Sequence, residues 1–177
     1  LTAWLAPILA FTAEEAWMTR AEDERDLPEK LVDTDSVHLR TMPEIPSNWA
    51  NPALADKWTK VFAVRRVITS ALEPLRREKT IGSSLQAAPT VHLSKEMHSA
   101  VSGVNFTEVA IVSGADVRAG DGPAHAFRVE DIPGVAVEPT LAAGEKCQRC
   151  WQVLPDVAHH VDRICQRCDT AVSTGRS

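Results

Sequence analysis

The longest regular apolar pattern in the chain runs through Asn51-Pro-Ala-Leu-Ala-Asp-Lys-Trp-Thr-Lys-Val-Phe-Ala-Val-Arg-Arg-Val-Ile-Thr-Ser-Ala-Leu-Glu-Pro-Leu-Arg-Arg-Glu-Lys79. Asparagine before proline predicts a helix start, because asparagine caps free backbone N–H groups and proline suits the first helical position. Apolar residues then recur every three or four positions, which predicts a helix of about 25 residues with one buried stripe. Because proline cannot donate an internal hydrogen bond, we expect a kink or an early end at Pro74. The stripe comprises Leu54, Trp58, Val61, Val64, Ile68, Leu72 and Leu75.

The opposite side of this predicted helix is basic. From Lys57 to Lys79 there are seven basic residues and two acidic ones, whereas the whole chain has 19 Lys and Arg against 24 Asp and Glu. The net charge of −5 alone argues against a nucleic-acid-binding protein, but a local basic cluster predicts contacts with phosphates. The alternative is an ordinary solvated surface opposite a buried stripe. The basic residues are Lys57, Lys60, Arg65, Arg66, Arg76, Arg77 and Lys79.

The first 50 residues predict short helices joined by loops. Thr12 and Glu15 have the spacing of a capping box, so a second short helix is expected to begin there. The charged stretch 21–29 predicts a loop, and the alternation in 37–40 predicts an extended segment. The first helix is expected to bury one apolar face, formed by Trp4, Leu5, Ile8 and Leu9.

Beyond Gly82 the periodicity changes and predicts a small α+β unit. Short β-type runs alternate with turn residues, and one short helix is expected between the first two runs. The predicted strands are 90–93, 109–113, 125–130 and 134–138, and the predicted helix is 95–101.

Two Cys-x-x-Cys pairs predict a metal site. They are Cys147-Gln-Arg-Cys150 and Cys165-Gln-Arg-Cys168, separated by fourteen residues. Two such pairs can place four thiolates around one Zn²⁺ ion and leave no position for water or substrate, so the predicted site is structural. It would stabilise a segment of about 30 residues that is too small to fold by its own core. The alternative, two redox disulfides, requires a thioredoxin-like setting that the flanks lack, and four cysteines leave no place for His159 or His160 as ligands.

Basic residues and one tryptophan surround the cysteines. The cations either offset the negative charge of four thiolates around a dication or also contact phosphate. Trp151 either stacks on an unpaired base or covers the small core of the zinc segment. The basic residues are Lys146, Arg149, Arg163 and Arg167.

Length and composition indicate a globular protein of one domain and an appendage. The chain has 177 residues, of which 44% are hydrophobic and 24% charged, and it shows neither an apolar run of membrane-spanning length nor a leader. It begins with Leu1 inside a predicted helix, so we expect a piece of a longer, cytoplasmic polypeptide. The predicted divisions are a helical part, an α+β linking unit, a zinc finger and a frayed tail, at 1–79, 80–143, 144–172 and 173–177.

Two segments around the cysteines closely resemble the C-terminal zinc finger of bacterial isoleucyl-tRNA synthetases: Gly144-Glu-Lys-Cys-Gln-Arg-Cys-Trp151 and Ile164-Cys-Gln-Arg-Cys168. Leu5-Ala-Pro-Ile-Leu-Ala-Phe-Thr-Ala-Glu-Glu-Ala-Trp17 resembles the anticodon-binding region of that family. Lys79-Thr-Ile-Gly-Ser-Ser-Leu-Gln-Ala87 resembles the segment after its long helix, and Ser36-Val-His-Leu39 lies between the two. The resemblance therefore covers almost the whole chain in the expected order.

This resemblance implies a mainly α anticodon-binding segment, a small α+β unit and a four-cysteine zinc finger. It further implies a class I synthetase that activates isoleucine with ATP, transfers it to isoleucine tRNA and edits valine. The predicted partners are the anticodon stem-loop of that tRNA and the rest of the synthetase in cis, in a monomer without membrane contact. The predicted tRNA contacts are Lys146, Arg149, Trp151, Arg163 and Arg167 in the finger, and Arg65, Arg66, Arg76, Arg77 and Lys79 on the helix.

The catalytic signatures of the family, His-x-Gly-His and Lys-Met-Ser-Lys-Ser, have no counterpart in this chain. Lys95-Glu-Met-His-Ser99 agrees with the second only at its ends and lies on the wrong side of the anticodon region, so the agreement is chance. We expect no catalytic residue here, and a fragment that neither forms an adenylate nor edits.

Two other classes of protein are compatible with the cysteine pattern. Formamidopyrimidine-DNA glycosylases have a similar finger, but they begin with a nucleophilic proline and place helices before the finger, where this chain has β-type runs. A zinc-ribbon module that binds a protein is the other alternative, because the acidic blocks allow it.

Overall fold

The computed structural model describes residues 1–19, 36–159 and 162–174. The chain forms two compact units, Leu1–Asn51 and Pro52–Ser177. The second unit contains the long helix, the strands and the cysteines.

The first unit is built from short helices around a small core. Helix α1 is Thr2–Leu5 and α2 is Ala10–Met18, and 3-10 turns follow at Val37–Leu39 and Ser47–Trp49. The Glu14 carboxylate accepts hydrogen bonds from the Ser36 hydroxyl (3.0 Å) and the Val37 N–H (2.9 Å). These bonds hold the turn against α2, and Ala6 after α1 completes a small core with Ala13, Trp17 and Val37.

Three predictions for the first unit are wrong. Helix α2 begins at Ala10 without a side-chain cap, so the expected capping box lies inside the helix. The expected extended segment is a 3-10 turn, because Val37 is buried and Ser36 caps the turn through its hydroxyl. The predicted apolar face is not buried: Ile8 is 79% exposed. The predicted loop 21–29 lies outside the described residues.

Helix α3, Pro52–Arg77, confirms the predicted long helix. From Val61 onward the helix buries most of the expected stripe, whereas Leu54 and Trp58 near its start remain partly exposed. Pro74 is accommodated within the last turn, and the helix ends three residues later. The buried positions of α3 are Val61, Val64, Val67, Ile68, Ala71 and Leu72.

A three-stranded sheet packs against α3. Strand β1, Thr90–Leu93, lies between β2, Asp116–Ala119, which is parallel to it, and β3, Val135–Glu138, which is antiparallel. Helices α4, Lys95–Ala100, and α5, Phe106–Val109, lie between β1 and β2 in the chain. The shared core joins α3 to Val91, Leu93, Phe106, Val112, Val135 and Val137.

The predictions for this unit are confirmed in part. Strands β1 and β3 and helix α4 lie where we expected them. The expected strand 109–113 is instead the end of α5 and a loop in which Ile111 has a φ of 56°. The expected strand 125–130 forms one isolated bridge, between Phe127 and Val137. Strand β2 was missed because it is an exposed edge strand without an apolar pattern.

The last part of the chain is a small hairpin and a helix. Strands β4, Glu145–Lys146, and β5, Val153–Leu154, pair antiparallel. A 3-10 turn, Pro155–His159, follows. Helix α6, Gln166–Thr174, includes the first two residues of the predicted tail. We call residues 144–174 the zinc module. No helix in the described part of the chain is long and apolar enough to cross a membrane.

Candidate metal centre and nucleic-acid interface

The fold brings the four cysteines together. Their Sγ atoms all lie within 4.8 Å of one another. Cys147, Cys165 and Cys168 are buried and Cys150 is half-buried. The Sγ atoms of Cys150 and Cys165 are 3.7 Å apart, close to the roughly 3.8 Å between sulfurs at the corners of a tetrahedral zinc site with 2.3 Å bonds. A disulfide needs about 2.05 Å, so the arrangement fits one structural Zn²⁺ ion.

Local hydrogen bonds form this arrangement. The backbone N–H groups of Cys150 and Cys165 point at the Cys147 sulfur, at 3.4 and 3.3 Å. Cys168 lies in the first turn of α6, where the Asp156 carboxylate accepts the Gln166 N–H at 2.8 Å. The first pair therefore follows the end of β4, and a capped helix start carries the second.

The thiols differ in how readily they ionise. Burial raises the pKa of Cys147, but three backbone N–H groups outweigh it and bring the pKa down to about 6. Burial raises the pKa of Cys165 to about 12 and also raises that of Cys150. A dication favours the thiolate form of all its ligands, so this donor set is suited to a bound metal.

The basic residues around the cysteines have different environments. The Arg149 guanidinium donates to the Cys168 sulfur at 3.7 Å, and this bond raises the pKa of Arg149. Arg163 forms an ion pair with Glu145. Arg167 lies exposed on α6, with no side-chain partner in the described ranges. Arg149 is therefore placed to offset thiolate charge, whereas Arg167 is available to another molecule.

Trp151 lies on the surface with an exposed ring, a platform available for stacking, and is not part of the core. Its side chain is 61% exposed, and its φ is 67°. The core of the zinc module is formed by the cysteines and Val157, with Leu154 and Ile164 beside them. The Lys146 ammonium lies 5.3 Å from the centre of the Trp151 ring. A cation beside an open aromatic face suits a base and its phosphate.

Most of the basic side chains of α3 are engaged within the second unit. Arg65 donates to the Val109 carbonyl at 2.9 Å, Arg66 pairs with Asp131 at 2.8 Å and Arg76 pairs with Glu73 at 3.0 Å. Arg77 and Lys79 are exposed and have no side-chain partner among the residues described. The cations available to another molecule therefore lie at the end of the helix, apart from Lys60, which is also exposed without a side-chain partner in the described ranges.

Two polar residues that the sequence did not single out connect the zinc module to the rest of the second unit, residues 52–143, which we call the sheet unit. The Ser113 hydroxyl accepts the Val153 N–H at 2.7 Å, and the Gln152 side chain donates to the Val112 carbonyl at 3.4 Å. Ser113 lies in a stretch that resembles a strand, so no local pattern marks it. Gln152 had one weak signal, its position beside Trp151.

Two family models match the chain. The anticodon-binding domain of tRNA ligase matches residues 1–92. The zinc finger found in FPG and IleRS matches residues 144–171. The first match, ahead of the finger, favours the synthetase hypothesis over the glycosylase hypothesis.

Curated relatives agree with both matches. An isoleucine--tRNA ligase of Agrobacterium fabrum is 48% identical over 158 residues, which are 89% of this chain and 15% of the relative. One of Ruegeria pomeroyi is 47% identical over 174 residues, 97% of this chain and 17% of the relative. One of Caulobacter vibrioides is 48% identical over 158 residues, 89% of this chain and 15% of the relative.

The chain thus spans about one sixth of the length of these relatives. The family matches, the geometry of the four-cysteine site and the curated relatives all indicate the same family of proteins. The chain therefore belongs to the anticodon-binding domain family of tRNA ligases, and its relatives within that family are isoleucine--tRNA ligases.

Proposed function

We propose that the chain is the tRNA-recognition part of an isoleucine--tRNA ligase and that it binds the anticodon stem-loop of isoleucine tRNA. The observation that carries the proposal is the succession of an anticodon-binding region and a four-cysteine finger in one chain. An open tryptophan beside a lysine, on a module stabilised by metal, supports it.

Recognition would combine stacking and phosphate contacts. An unpaired base stacks on Trp151, while Lys146 and Arg167 contact phosphates beside it. Arg77 and Lys79 at the end of α3 contact a further part of the backbone. Arg65, Arg66, Arg76, Arg149 and Arg163 contribute less, because each already has a partner within the chain.

The chemistry of the whole enzyme would lie outside these residues. The complete enzyme attaches isoleucine to its tRNA with ATP and removes misactivated valine, in the cytoplasm and as a monomer. This chain supplies binding in cis to the catalytic part, and its metal is structural, because four thiolates leave no open coordination position. Assayed alone, the chain should form no adenylate.

A binding titration tests the proposal. The zinc-loaded chain is titrated with isoleucine tRNA, an unrelated tRNA and duplex DNA at two salt concentrations. We expect tighter binding of isoleucine tRNA and a steep loss of affinity with salt, because phosphate contacts release counterions. Equal affinity for the three nucleic acids would contradict recognition, and retention of a protein partner without tRNA binding would favour the zinc-ribbon alternative.

Charge variants locate the contacts. Arg77→Gln with Lys79→Gln should weaken binding and reduce its salt dependence by roughly one phosphate contact for each charge removed. Arg66→Gln is the matched control on the same helix, since Arg66 already pairs with Asp131. A larger effect of the control would place the RNA contact nearer the middle of α3, about three turns before its end.

A further inference from the structure

Ser113 has an unusual environment for a polar residue. It lies in the loop between α5 and β2 and is 7% exposed, and no other polar or charged side chain is buried in the described ranges 1–19, 36–159 and 162–174. Burying a hydroxyl is unfavourable unless its hydrogen bonds are made. The partners of this hydroxyl therefore indicate its role.

The Ser113 hydroxyl joins two separate parts of the second unit. It donates to the Leu85 carbonyl at 2.5 Å and accepts the Val153 N–H at 2.7 Å. Leu85 lies in the 3-10 turn Ser84–Gln86, a few residues after Arg77 and Lys79. Val153 begins β5 in the zinc module. One buried side chain thus connects the segment after the basic helix end with the metal-bearing hairpin.

A second bond supports the same junction. The Gln152 side chain donates to the carbonyl of Val112, the buried neighbour of Ser113, at 3.4 Å. Gln152 also accepts the Cys147 N–H through its own carbonyl at 2.8 Å. The junction therefore lies directly between Trp151 and the first cysteine pair on one side and the sheet unit on the other.

We propose that Ser113 is a positioning residue that fixes the zinc module on the sheet unit and thereby sets the separation of Trp151 and Lys146 from Arg77 and Lys79. The docking of the zinc module follows from the hydrogen bonds described above and assumes nothing about function. The role of Ser113 in recognition rests on the proposed function. Two contact regions held at one separation bind a folded RNA with less ordering cost than two regions that move independently.

The test compares Ser113→Ala with Ser99→Ala in the zinc-loaded full chain. Ser99 is exposed on α4, and its hydroxyl has no partner in the part of the chain that the structure describes. Four quantities are measured: zinc content, the absorption spectrum of the cobalt-substituted site, the relative orientation of module and sheet from residual dipolar couplings, and affinity for isoleucine tRNA. Trp151→Ala is a further comparison, because it removes the platform without touching the junction.

Ser113→Ala should keep one metal ion and an unchanged cobalt spectrum, lose the fixed orientation, and weaken tRNA binding about five- to tenfold, in keeping with two lost buried hydrogen bonds. Ser99→Ala should change nothing, and Trp151→Ala should weaken binding while the orientation stays fixed. If Ser113→Ala does not fold, Gln152→Ala provides the milder change, with an expected loss of about two- to threefold.

An unchanged orientation in Ser113→Ala overturns the docking. A lost orientation with unchanged affinity overturns the role in recognition. Failure of the unaltered chain to prefer isoleucine tRNA overturns the proposed function and the recognition role with it, and the dipolar couplings then still decide the docking.

Discussion

At position 151 a tryptophan occupies a left-handed backbone conformation and leaves most of its ring in solvent. The conformation is unfavourable for a residue with a Cβ atom, and the exposed ring contributes little to burial. Neither property stabilises the module. The sequence places Trp151 beside the predicted metal site, but it does not decide whether the ring stacks on a base or packs on the core. Periodicity carries no information about a single positive φ.

Substitution of Trp151 by glycine and by alanine separates the effect of the backbone conformation from the effect of the lost ring. Trp151→Gly should be more stable than Trp151→Ala by about 1 kcal/mol, since glycine adopts positive φ without a steric cost. Both should weaken tRNA binding by roughly 1–3 kcal/mol, the usual contribution of base stacking. Chemical denaturation in excess zinc and tRNA titration provide the two measurements. Marked loss of stability in both variants with intact affinity would instead assign Trp151 to packing.

The thiols predict how metal binding responds to pH. Cys150 and Cys165 have raised pKa values and are protonated at neutral pH, whereas the pKa of Cys147 is about 6. Zinc binding at pH 7 should release about two protons if the metal meets the folded thiols, and more if it meets the unfolded module, whose thiols have the ordinary pKa of about 8.5. In both cases affinity should rise with pH. Calorimetry in buffers of different ionisation enthalpy counts the protons. Release of none would mean that the thiols are already ionised in the apo state.

At the level of elements, local signals were predictable and non-local ones were not. Helix α3 and the cysteine pairs were predictable because the apolar period of a helix and the Cys-x-x-Cys spacing are properties of residues that are close together in the sequence. The run 109–113 has β-branched residues yet forms no strand, because Val109 ends the helix that Asn105 caps and Ile111 has a φ of 56°. Strand β2 forms because β1 offers it a free edge, which its own residues do not reveal.

The hairpin of the zinc module depends on Gly144. It has a φ of 113°, and a Cβ atom there would collide with the backbone of Leu154. Gly144→Ala should therefore displace β5 and destabilise the module by more than the roughly 1–2 kcal/mol of a left-handed conformation alone. Gly103→Ala is the matched control, with a φ of 77° and open space around the site. Zinc affinity and thermal unfolding measure the difference, and equal effects would show that the contact is relieved easily.

A carboxylate on β3 connects sheet stability to pH. Glu138 accepts hydrogen bonds from His92 at 2.7 Å and from His125 at 3.2 Å, and the bond from His92 lowers the pKa of this carboxyl below its ordinary value. A lowered folded-state pKa gives stability that is present above the unfolded pKa and lost as pH falls through the folded value. Glu138→Gln should therefore be less stable than the unaltered chain at neutral pH, with the difference closing in acid.

Denaturant midpoints across pH measure this difference. Glu130→Gln is the control, because Glu130 is exposed and has no ion-pair partner in the described residues. A constant difference between Glu138→Gln and the unaltered chain from neutral to acid pH would contradict the assignment.

On the scale of the whole molecule, the second unit has two cores that share no residue. One joins α3 to the sheet, and the other consists of the cysteines with Val157. The fold class was predicted because each core has its own signal, a helical stripe or a cysteine spacing. Their junction through Ser113 was not, since Leu85, Ser113 and Val153 are far apart in sequence.

Loss of a metal ligand should therefore be local. Cys147→Ser or Cys168→Ser should release zinc and unfold the zinc module, while α3 and the sheet keep their amide protection. The reason is that the apo module has too small a core to stay folded. Zinc content and hydrogen exchange by residue are the measurements. Unfolding of α3 together with the module would show that the two cores form one cooperative unit.

The buried stripe of α3 remains without part of its packing surface while the rest of the chain is synthesised. Its apolar residues from Val61 to Leu72 pack on strands that end at Glu138, about 65 residues further along the chain. At roughly 5–20 residues per second, a ribosome needs about 3–13 s to add that length. During each round of synthesis the helix is thus complete for several seconds before β3, the last of its partner strands, exists, and a chaperone that binds apolar helices has that interval in which to cover it.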